Sequence, residues 1–389
     1  MVQVSSLFGS IAAIALITPA FAHPGEHHDP HHVKREIDAR ERLADKIRRS
    51  IDACKDSTQH RQLAARSANR RARVANELRE KRGITAAPKK FKRDLATLET
   101  FETINHNQTS LVDYDPNTPA NIIFGANTSC VVTPEVTAGP YYVVGEQIRK
   151  NVKEEEYSDG VDVYLEVQYI DINTCEPVPQ VWVDIWNCNA TGVYSGISTS
   201  GNYAADGYNS TYLRGIQPTD EDGVVSFETI FPGHYDGRAT HTHVLAHMNV
   251  TVQPNATITA TNNITHIGQI FWNEDLRTAV EATYPYNTNT QAVTSNADDM
   301  WDIVQAGTYY DPFAEYIYLG EDLDDGLLAW IQIGIDPTAN YIDAEYYAVA
   351  ATLQADGGHV NEELSFPGSG GGGNGTMPGN GTGSAPPST

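Results

Sequence analysis

The stretch between Tyr194 and His243 carries side chains whose types and spacing could hold a metal ion. Tyr194 lies in the run G-V-Y-S-G, while Tyr235, Arg238, His241 and His243 lie in the run F-P-G-H-Y-D-G-R-A-T-H-T-H. Phenol oxygens combined with imidazole nitrogens form a mixed donor set that suits a hard, oxidised cation. Ferric iron fits this set best.

Each part of the set has an ordinary interpretation when it stands alone. Tyrosine is common in half-buried sheets, and two histidines separated by one residue are more often structural than metal-binding. On an extended strand, however, His241 and His243 point to the same face and can reach one ion. A phenol has a pKa of about 10 in water, and a bound trivalent cation brings it below neutrality. The combination predicts a ferric site, and the two tyrosines disfavour the copper or zinc alternative.

Charge is divided sharply along this chain of 389 residues. Residues 23–93 contain 20 Lys and Arg against 10 Asp and Glu, a net charge of +10, whereas residues 94–389 contain 6 bases and 40 acids, or −34. A body this acidic does not bind nucleic acid and is typical of a secreted enzyme.

Residues 33–82 are helical in character, because apolar side chains recur at steps of three to four residues. A break near Asp56 predicts two helices that form a hairpin. Two functions of this basic segment stay open: it packs on the acidic body, or it is a pro-segment released at the Lys81-Arg82 and Lys92-Arg93 pairs. The histidine-rich residues 23–32 are interpreted as a flexible tail.

The ends of the chain indicate secretion. Residues 1–22 read as a signal peptide, with an apolar run followed by Ala20-Phe21-Ala22, and no later run of 18 apolar residues predicts a membrane span. Residues 367–389 form a disordered tail rich in glycine and serine. Nine N-x-S/T triplets favour a glycosylated extracellular product: Asn107, Asn127, Asn189, Asn209, Asn249, Asn255, Asn263, Asn374 and Asn380.

The part between these ends is predicted to be mainly β. Residues 94–128 are a polar linker, and residues 129–366 form an antiparallel β-sandwich, because short alternating strands are separated by turn signals. The predicted strands span residues 161–170, 181–187, 224–230, 240–252, 267–272 and 327–335. Residues 274–283 and 297–305 are expected to be short helices on its flank.

Four cysteines, Cys54, Cys130, Cys175 and Cys188, favour disulfides in a secreted chain and allow three pairings. If the strands on either side of the P-V-P turn at residues 177–179 form one hairpin, Cys175 and Cys188 lie too far apart to bond. That geometry would leave Cys54 to form a disulfide with the sandwich.

Four ordered motifs give this chain a resemblance to the intradiol ring-cleavage dioxygenases, nearest to the protocatechuate 3,4-dioxygenase branch and its secreted fungal relatives. They are T-P-E-V-T-A-G-P-Y-Y, P-V-P-Q-V-W-V-D-I-W-N-C-N-A-T-G-V-Y-S-G, T-D-E-D-G-V-V-S-F-E-T-I-F-P-G-H-Y and R-A-T-H-T-H, and the likeness covers roughly residues 130–272. The resemblance implies non-haem Fe(III) with four protein ligands: Tyr194, Tyr235, His241 and His243. It also implies that Tyr235 accepts a catechol proton, that Arg238 stabilises negative charge on the attacked ring carbon, and that Gln269 is an active-site residue.

The sequence departs from the family pattern at two places. Only Asp236 and Gly237 stand between Tyr235 and Arg238, where the family has a longer stretch with a tryptophan. Ala239 replaces the proline that follows the arginine. Both changes shorten or loosen a wall of the substrate pocket, so substrate identity is more affected than metal binding.

The function expected from the resemblance is an extracellular Fe(III) dioxygenase that opens a catechol-type ring between its two hydroxylated carbons with O₂. The product would be a muconate-type diacid, and no organic cofactor is needed. An oligomer is compatible with the sequence. The alternative is a secreted glycoprotein binding module on the same sandwich, without turnover. Colour separates the two, since Fe(III)–tyrosinate protein is reddish and a binding module is colourless.

Overall fold

The computed structural model describes residues 57–85 and 137–361, apart from 200, 260–262, 300, 303–310 and 345–346, together with four isolated positions between 31 and 38. The predicted signal peptide, linker and tail lie outside these residues, as does most of the first predicted helix.

The described chain is mainly β, as predicted, and two four-stranded sheets form its body. The helices are α1 (Thr58–Arg82) and α2 (Glu274–Glu281). The strands are β1 (Val143–Val144), β2 (Asp162–Asp171), β3 (Trp182–Trp186), β4 (Ser198–Thr199), β5 (Asn202–Tyr203), β6 (Arg214–Pro218), β7 (Val224–Ile230), β8 (His241–His247), β9 (Thr251–Val252), β10 (Ile258–Thr259), β11 (Ile264–Phe271), β12 (Glu315–Tyr318), β13 (Leu327–Ile335), β14 (Ala351–Gln354) and β15 (Gly357–Val360).

The two sheets have the strand orders β11-β8-β3-β6 and β12-β13-β2-β7. Their facing sides share one apolar core, to which alternate residues such as Val163 of β2, Ile185 of β3 and Val244 of β8 contribute. Pairing within the sheets is antiparallel except between β13 and β2, which run parallel. The sandwich prediction is therefore confirmed, with one parallel pair that local patterns do not reveal.

The strands around the P-V-P turn do not form a hairpin, so that prediction is wrong. β2 and β3 belong to opposite sheets, because the chain crosses from one layer of the sandwich to the other at this turn. The predicted absence of a Cys175–Cys188 bond is nevertheless confirmed. Cys188 is a buried free thiol, and Cys175 is in a disulfide whose partner lies outside the described residues.

The helix α1 begins where the sequence predicts a break, since the Ser57 hydroxyl accepts a hydrogen bond from the His60 N–H at 3.0 Å and caps its first turn. It lies on the outer side of the β12-β13-β2-β7 sheet. Its Arg71, 3% exposed at the side chain, contacts Glu166 of β2 at 2.7 Å and lies over the Trp330 ring. The expectation that the basic segment packs on the acidic body is confirmed for α1.

The other predicted elements agree with the structure in different degrees. The bounds of β7 and β13 are those predicted, and the predicted strand 240–252 is divided into β8 and β9 by a turn. Of the helix predicted at 297–305, residues 301–302 are helical, a short 3-10 turn spans Asn296–Asp298, and residues 303–310 lie outside the described part. Within the described residues, neither helix combines the length and apolar character that a membrane span requires.

Candidate metal centre

The predicted ligand side chains come together on the face of β8 that points away from the sandwich core. Val244 and Ala246 enter that core, so His243 and Leu245 point to the opposite side. A second apolar cluster there also contains Tyr194 and Tyr235. The site is thus built on the back of one sheet and is covered by loops.

The donor atoms converge on His241 Nε2. The Tyr194 hydroxyl oxygen lies 3.4 Å from this nitrogen, the Tyr235 hydroxyl oxygen lies 3.3 Å from it, and His243 Nε2 lies 3.0 Å from it. All four residues are at most 4% exposed. The structure thus brings these four side chains to one place.

The histidines are arranged as ligands rather than as ordinary hydrogen-bonding groups. His241 Nδ1–H donates to the Ala239 carbonyl at 2.6 Å, so Nε2 presents its lone pair to the other three donors. His243 Nδ1 is buried without a hydrogen-bond partner among the described residues. A cation placed among the donors would bind lone pairs that otherwise face one another. The residues fit a bound metal ion.

The tyrosines are a necessary part of this donor set. Among the described residues, no group of three His, Cys, Asp or Glu side chains could hold a metal ion. Two neutral imidazoles with two phenol oxygens resemble the ligands of a hard trivalent ion more than those of zinc.

Burial keeps all four donors neutral in the bare protein. It raises the pKa of Tyr194 well above its ordinary value, and the neighbouring Tyr235 raises it further. Burial also raises the pKa of Tyr235, against the opposing effect of Arg238. It lowers the pKa of His241 well below its ordinary value, as Arg238 also does, and the pKa of His243 is lowered by burial and by His241. A positive ion among the donors would reverse this balance for the phenols.

Cross-strand pairing explains why Gln269 belongs to the site. One lateral row crosses the sheet through Gln269 of β11, His243 of β8, Trp186 of β3 and Arg214 of β6, which are direct partners in register. Such partners share a face of the sheet. Trp186 stacks on the His243 ring at 4.6 Å with an interplanar angle of 5°, which fixes the orientation of the imidazole.

The loop that carries Tyr194 is held by buried polar side chains. Asn202 accepts the Tyr194 N–H at 2.7 Å and donates to the Tyr194 carbonyl at 2.9 Å. Arg214 donates to the carbonyls of Ser195 and Tyr141, each at 2.7 Å. Because the Tyr141 ring stacks on Tyr194 at 4.8 Å, Arg214 fixes both the loop that carries Tyr194 and the ring that covers it.

The segment between Tyr235 and Arg238 is a tight turn. The Arg238 N–H donates to the Tyr235 carbonyl at 3.3 Å, and Gly237 has a φ of +81°, a conformation that glycine adopts without strain. With only two residues between Tyr235 and Arg238, this turn still brings the arginine beside the four candidate ligands.

Arg238 is fully buried, and within the described residues its side chain donates two hydrogen bonds. Its Nη2 donates to Gln269 Oε1 at 2.5 Å, and its Nε donates to Asp299 Oδ2 at 2.9 Å. Burial lowers the pKa of Arg238, but Asp299 and Tyr235 outweigh burial and the pKa is raised. Asp299 was not predicted as a site residue, and it stands in a region expected to be helix.

Comparison with known proteins supports the same class. A family model described as Dioxygenase matches residues 137–300. The intradiol ring-cleavage dioxygenase from Tetranychus urticae is 30% identical over 54% of this chain and 97% of that chain, with a TM-score of 0.44.

More distant likenesses include the dioxygenase domain of a carbohydrate-binding fusion from Streptomyces sp. SirexAA-E, 21% identical over 53% of this chain and 98% of that chain, with a TM-score of 0.32. Catechol 1,2-dioxygenase from Acinetobacter sp. ADP1 is 17% identical over 53% of this chain and 63% of that chain, with a TM-score of 0.35. No curated protein sequence matches this chain.

The chain belongs to the intradiol ring-cleavage dioxygenases, the class that the matched family model and the sequence motifs indicate together. It is an enzyme of the class that opens catechol-type rings, and its family uses non-haem iron. The interpretation as a binding module without turnover is set aside.

Proposed function

We propose that this chain is a secreted Fe(III) dioxygenase that cleaves a catechol-type ring between its two hydroxylated carbons and forms a muconate-type diacid. Both atoms of O₂ enter the product, so the reaction needs neither an external reductant nor an organic cofactor. The observation that carries the proposal is the convergence of two buried phenol oxygens and the His243 nitrogen within 3.4 Å of His241 Nε2.

The ligands in this proposal are Tyr194, Tyr235, His241 and His243. When bound, ferric iron supplies a Lewis acid that lowers the pKa of the substrate hydroxyls and draws electron density from the ring. Two phenolates would leave one positive charge of Fe(III) to be balanced. A catechol that has given one proton to solvent would supply that negative charge, and its second proton is the one that Tyr235 accepts. The buried position of the four donors excludes water from the reacting atoms.

Tyr235 is the proposed base. It stands in a tight turn outside the named strands, and its backbone pairs with that of Arg238. As a phenolate it accepts the proton of one catechol hydroxyl at its own oxygen, and Arg238 stabilises the phenolate before that transfer. Tyr194, tied at its backbone by Asn202, keeps its position through the reaction.

Arg238 and Gln269 are proposed to act on the substrate. The Arg238 Nη1 is buried and has no hydrogen-bond partner among the described residues, which leaves a charged donor for negative charge on the ring. Gln269 Nε2 donates to the Thr137 carbonyl at 3.0 Å, so its Oε1 is oriented toward Arg238.

Secretion is supported by the leader-like first residues and by the N-x-S/T triplets. Asn209 and Asn255 are exposed and open to a glycan. Asn189 is half-buried, and its side-chain oxygen accepts the N–H of Thr191 and of Val193, so we expect it to stay bare. The disulfide at Cys175 is consistent with an oxidising compartment.

Tyr235→Phe tests the proposal. The variant is expected to keep iron through the three remaining ligands, to lose most turnover because the base is gone, and to shift the visible phenolate-to-iron absorption. Metal content, the visible spectrum and O₂ uptake with a panel of catechols are the measurements. Tyr203→Phe is the matched control, since Tyr203 is 71% exposed. The ligand assignment would be refuted if the iron-loaded wild-type protein were colourless. It would also be refuted if Tyr235→Phe had the same visible spectrum as the wild type.

A further inference from the structure

Asp299 is a buried carboxylate at the edge of the site, and both of its oxygens are engaged. Oδ2 accepts the Arg238 Nε–H at 2.9 Å and the Ala239 N–H at 2.6 Å. Oδ1 accepts the N–H groups of Trp301 and Asp302 at 2.8 and 3.3 Å. Its side chain is 0% exposed, so these four donors fix the carboxylate in a single orientation.

The fixed carboxylate in turn fixes the arginine. The planar guanidinium of Arg238 is held at Nε by Asp299 and at Nη2 by Gln269, whose own amide donates to the Thr137 carbonyl. A planar group held at two of its three nitrogens cannot rotate about its own axis. The third nitrogen, Nη1, is the buried donor without a partner among the described residues, and it is left for a ligand.

Ala239 connects this arrangement to the ligand strand. Its N–H donates to Asp299 Oδ2, and its carbonyl accepts His241 Nδ1–H at 2.6 Å. The guanidinium and the imidazole of His241 are therefore positioned against the same carboxylate, one directly and the other through the backbone of a single residue, Ala239.

We infer that Asp299 is a positioning residue of the reaction: it orients Arg238 so that Nη1 faces the place where negative charge develops on the substrate ring. The inference rests on the proposed function. Asp299, a loop residue 61 positions after Arg238, is the partner that makes the arginine effective. An arginine without this anchor would still be charged, but it would meet the ring in many orientations and stabilise the transition state less.

Asp299→Asn is the test, because the amide keeps the size of the side chain and removes the charge. In either orientation of the amide, its NH₂ group replaces one carboxylate oxygen. The lost acceptor is then the one for Arg238 and Ala239 or the one for Trp301 and Asp302. Asp298→Asn is the matched control, since Asp298 is exposed and accepts a hydrogen bond from Ser295. Thermal unfolding, iron content and the visible band report whether each variant keeps its fold and ligand set.

In Asp299→Asn we expect kcat to fall at least about tenfold and KM to change less than about threefold, because the lost interaction belongs to the transition state. The iron content and the visible band are expected to persist. A kcat equal to that of Asp298→Asn would overturn the inference. So would loss of iron and turnover in parallel, because Asp299 would then serve only the fold.

A second measurement does not depend on iron or turnover. In the ¹⁵N-labelled metal-free protein, the Arg238 Nε–H resonance, assigned by its loss in Arg238→Lys, is expected to exchange with solvent at least about tenfold more slowly than those of exposed arginines. Fast exchange in the wild type, or unchanged protection in Asp299→Asn, would overturn the inference. If the Arg238 Nε–H is protected but the iron-loaded wild type shows no visible iron band, the proposed function is refuted. The anchoring of Arg238 by Asp299 is then still established.

Discussion

Glu166→Gln is expected to loosen the helix α1 from the sandwich at a large cost in stability. Glu166 has a side-chain exposure of 3% and contacts Arg71 at 2.7 Å and Arg70 at 3.1 Å. Burial lowers the pKa of Arg71 and the charge of Glu166 opposes this, so the cation depends on its partner. Removing one partner of a buried pair costs about 3–5 kcal/mol. Glutamine keeps one acceptor oxygen, so the lower end, about 3 kcal/mol, is expected.

Urea unfolding at pH 7, followed by fluorescence, measures this loss. Glu77→Gln is the matched control on the same helix, because its partner Arg73 is 3.8 Å away and both side chains are exposed; it should change the free energy of unfolding by less than about 0.5 kcal/mol. A Glu166→Gln loss below about 1 kcal/mol would refute the reasoning. The helix would then be a loosely attached segment rather than a layer of the fold.

The same variant bears on whether the basic segment is removed. Arg82 of the Lys81-Arg82 pair donates to the Asp325 carbonyl and to the Asp162 carboxylate, so the pair is bound to the sandwich. A dibasic protease is expected to cut there slowly in the wild type and faster in Glu166→Gln.

Two further predictions concern the ligand strand and the buried polar cluster behind it. His241→Ala should lose iron, because the nitrogen on which the other three donors converge disappears, and full iron stoichiometry in that variant counts against the assignment. Burial raises the pKa of Asp184 to about 6, while hydrogen bonds from Glu146 and charge from Arg214 oppose this. The folded state therefore holds the Asp184 proton more tightly than the unfolded state does, so the free energy of unfolding should fall by up to about 3 kcal/mol between about pH 4 and pH 6. Asp184→Asn cannot titrate and should lose this fall; urea unfolding across that range would contradict the prediction if both proteins showed the same slope.

The candidate ligand set could be predicted from sequence because its information is local. His241 and His243 share a strand, and the two-residue period of a strand places them on one face whatever the rest of the chain does. Tyr194, Tyr235 and Arg238 stand out by residue type in two short runs of sequence, whereas Gln269 is indicated only by the resemblance to a known family. The strand bounds of β7 and β13 were likewise set by short apolar runs between turn residues.

Features that depend on contacts between distant parts of the chain were decided only by the tertiary structure. The parallel pairing of β13 with β2 and the crossing from β2 to β3 between sheets depend on how layers close around a core, and a turn signal is the same for a hairpin and for a crossing. Asp299 carries no motif, since an aspartate near two others reads as a solvated helix start. Only folding brings Asp299 beside Arg238. Because both side chains are buried there, the carboxylate of Asp299 compensates a guanidinium charge that would otherwise be unpaired.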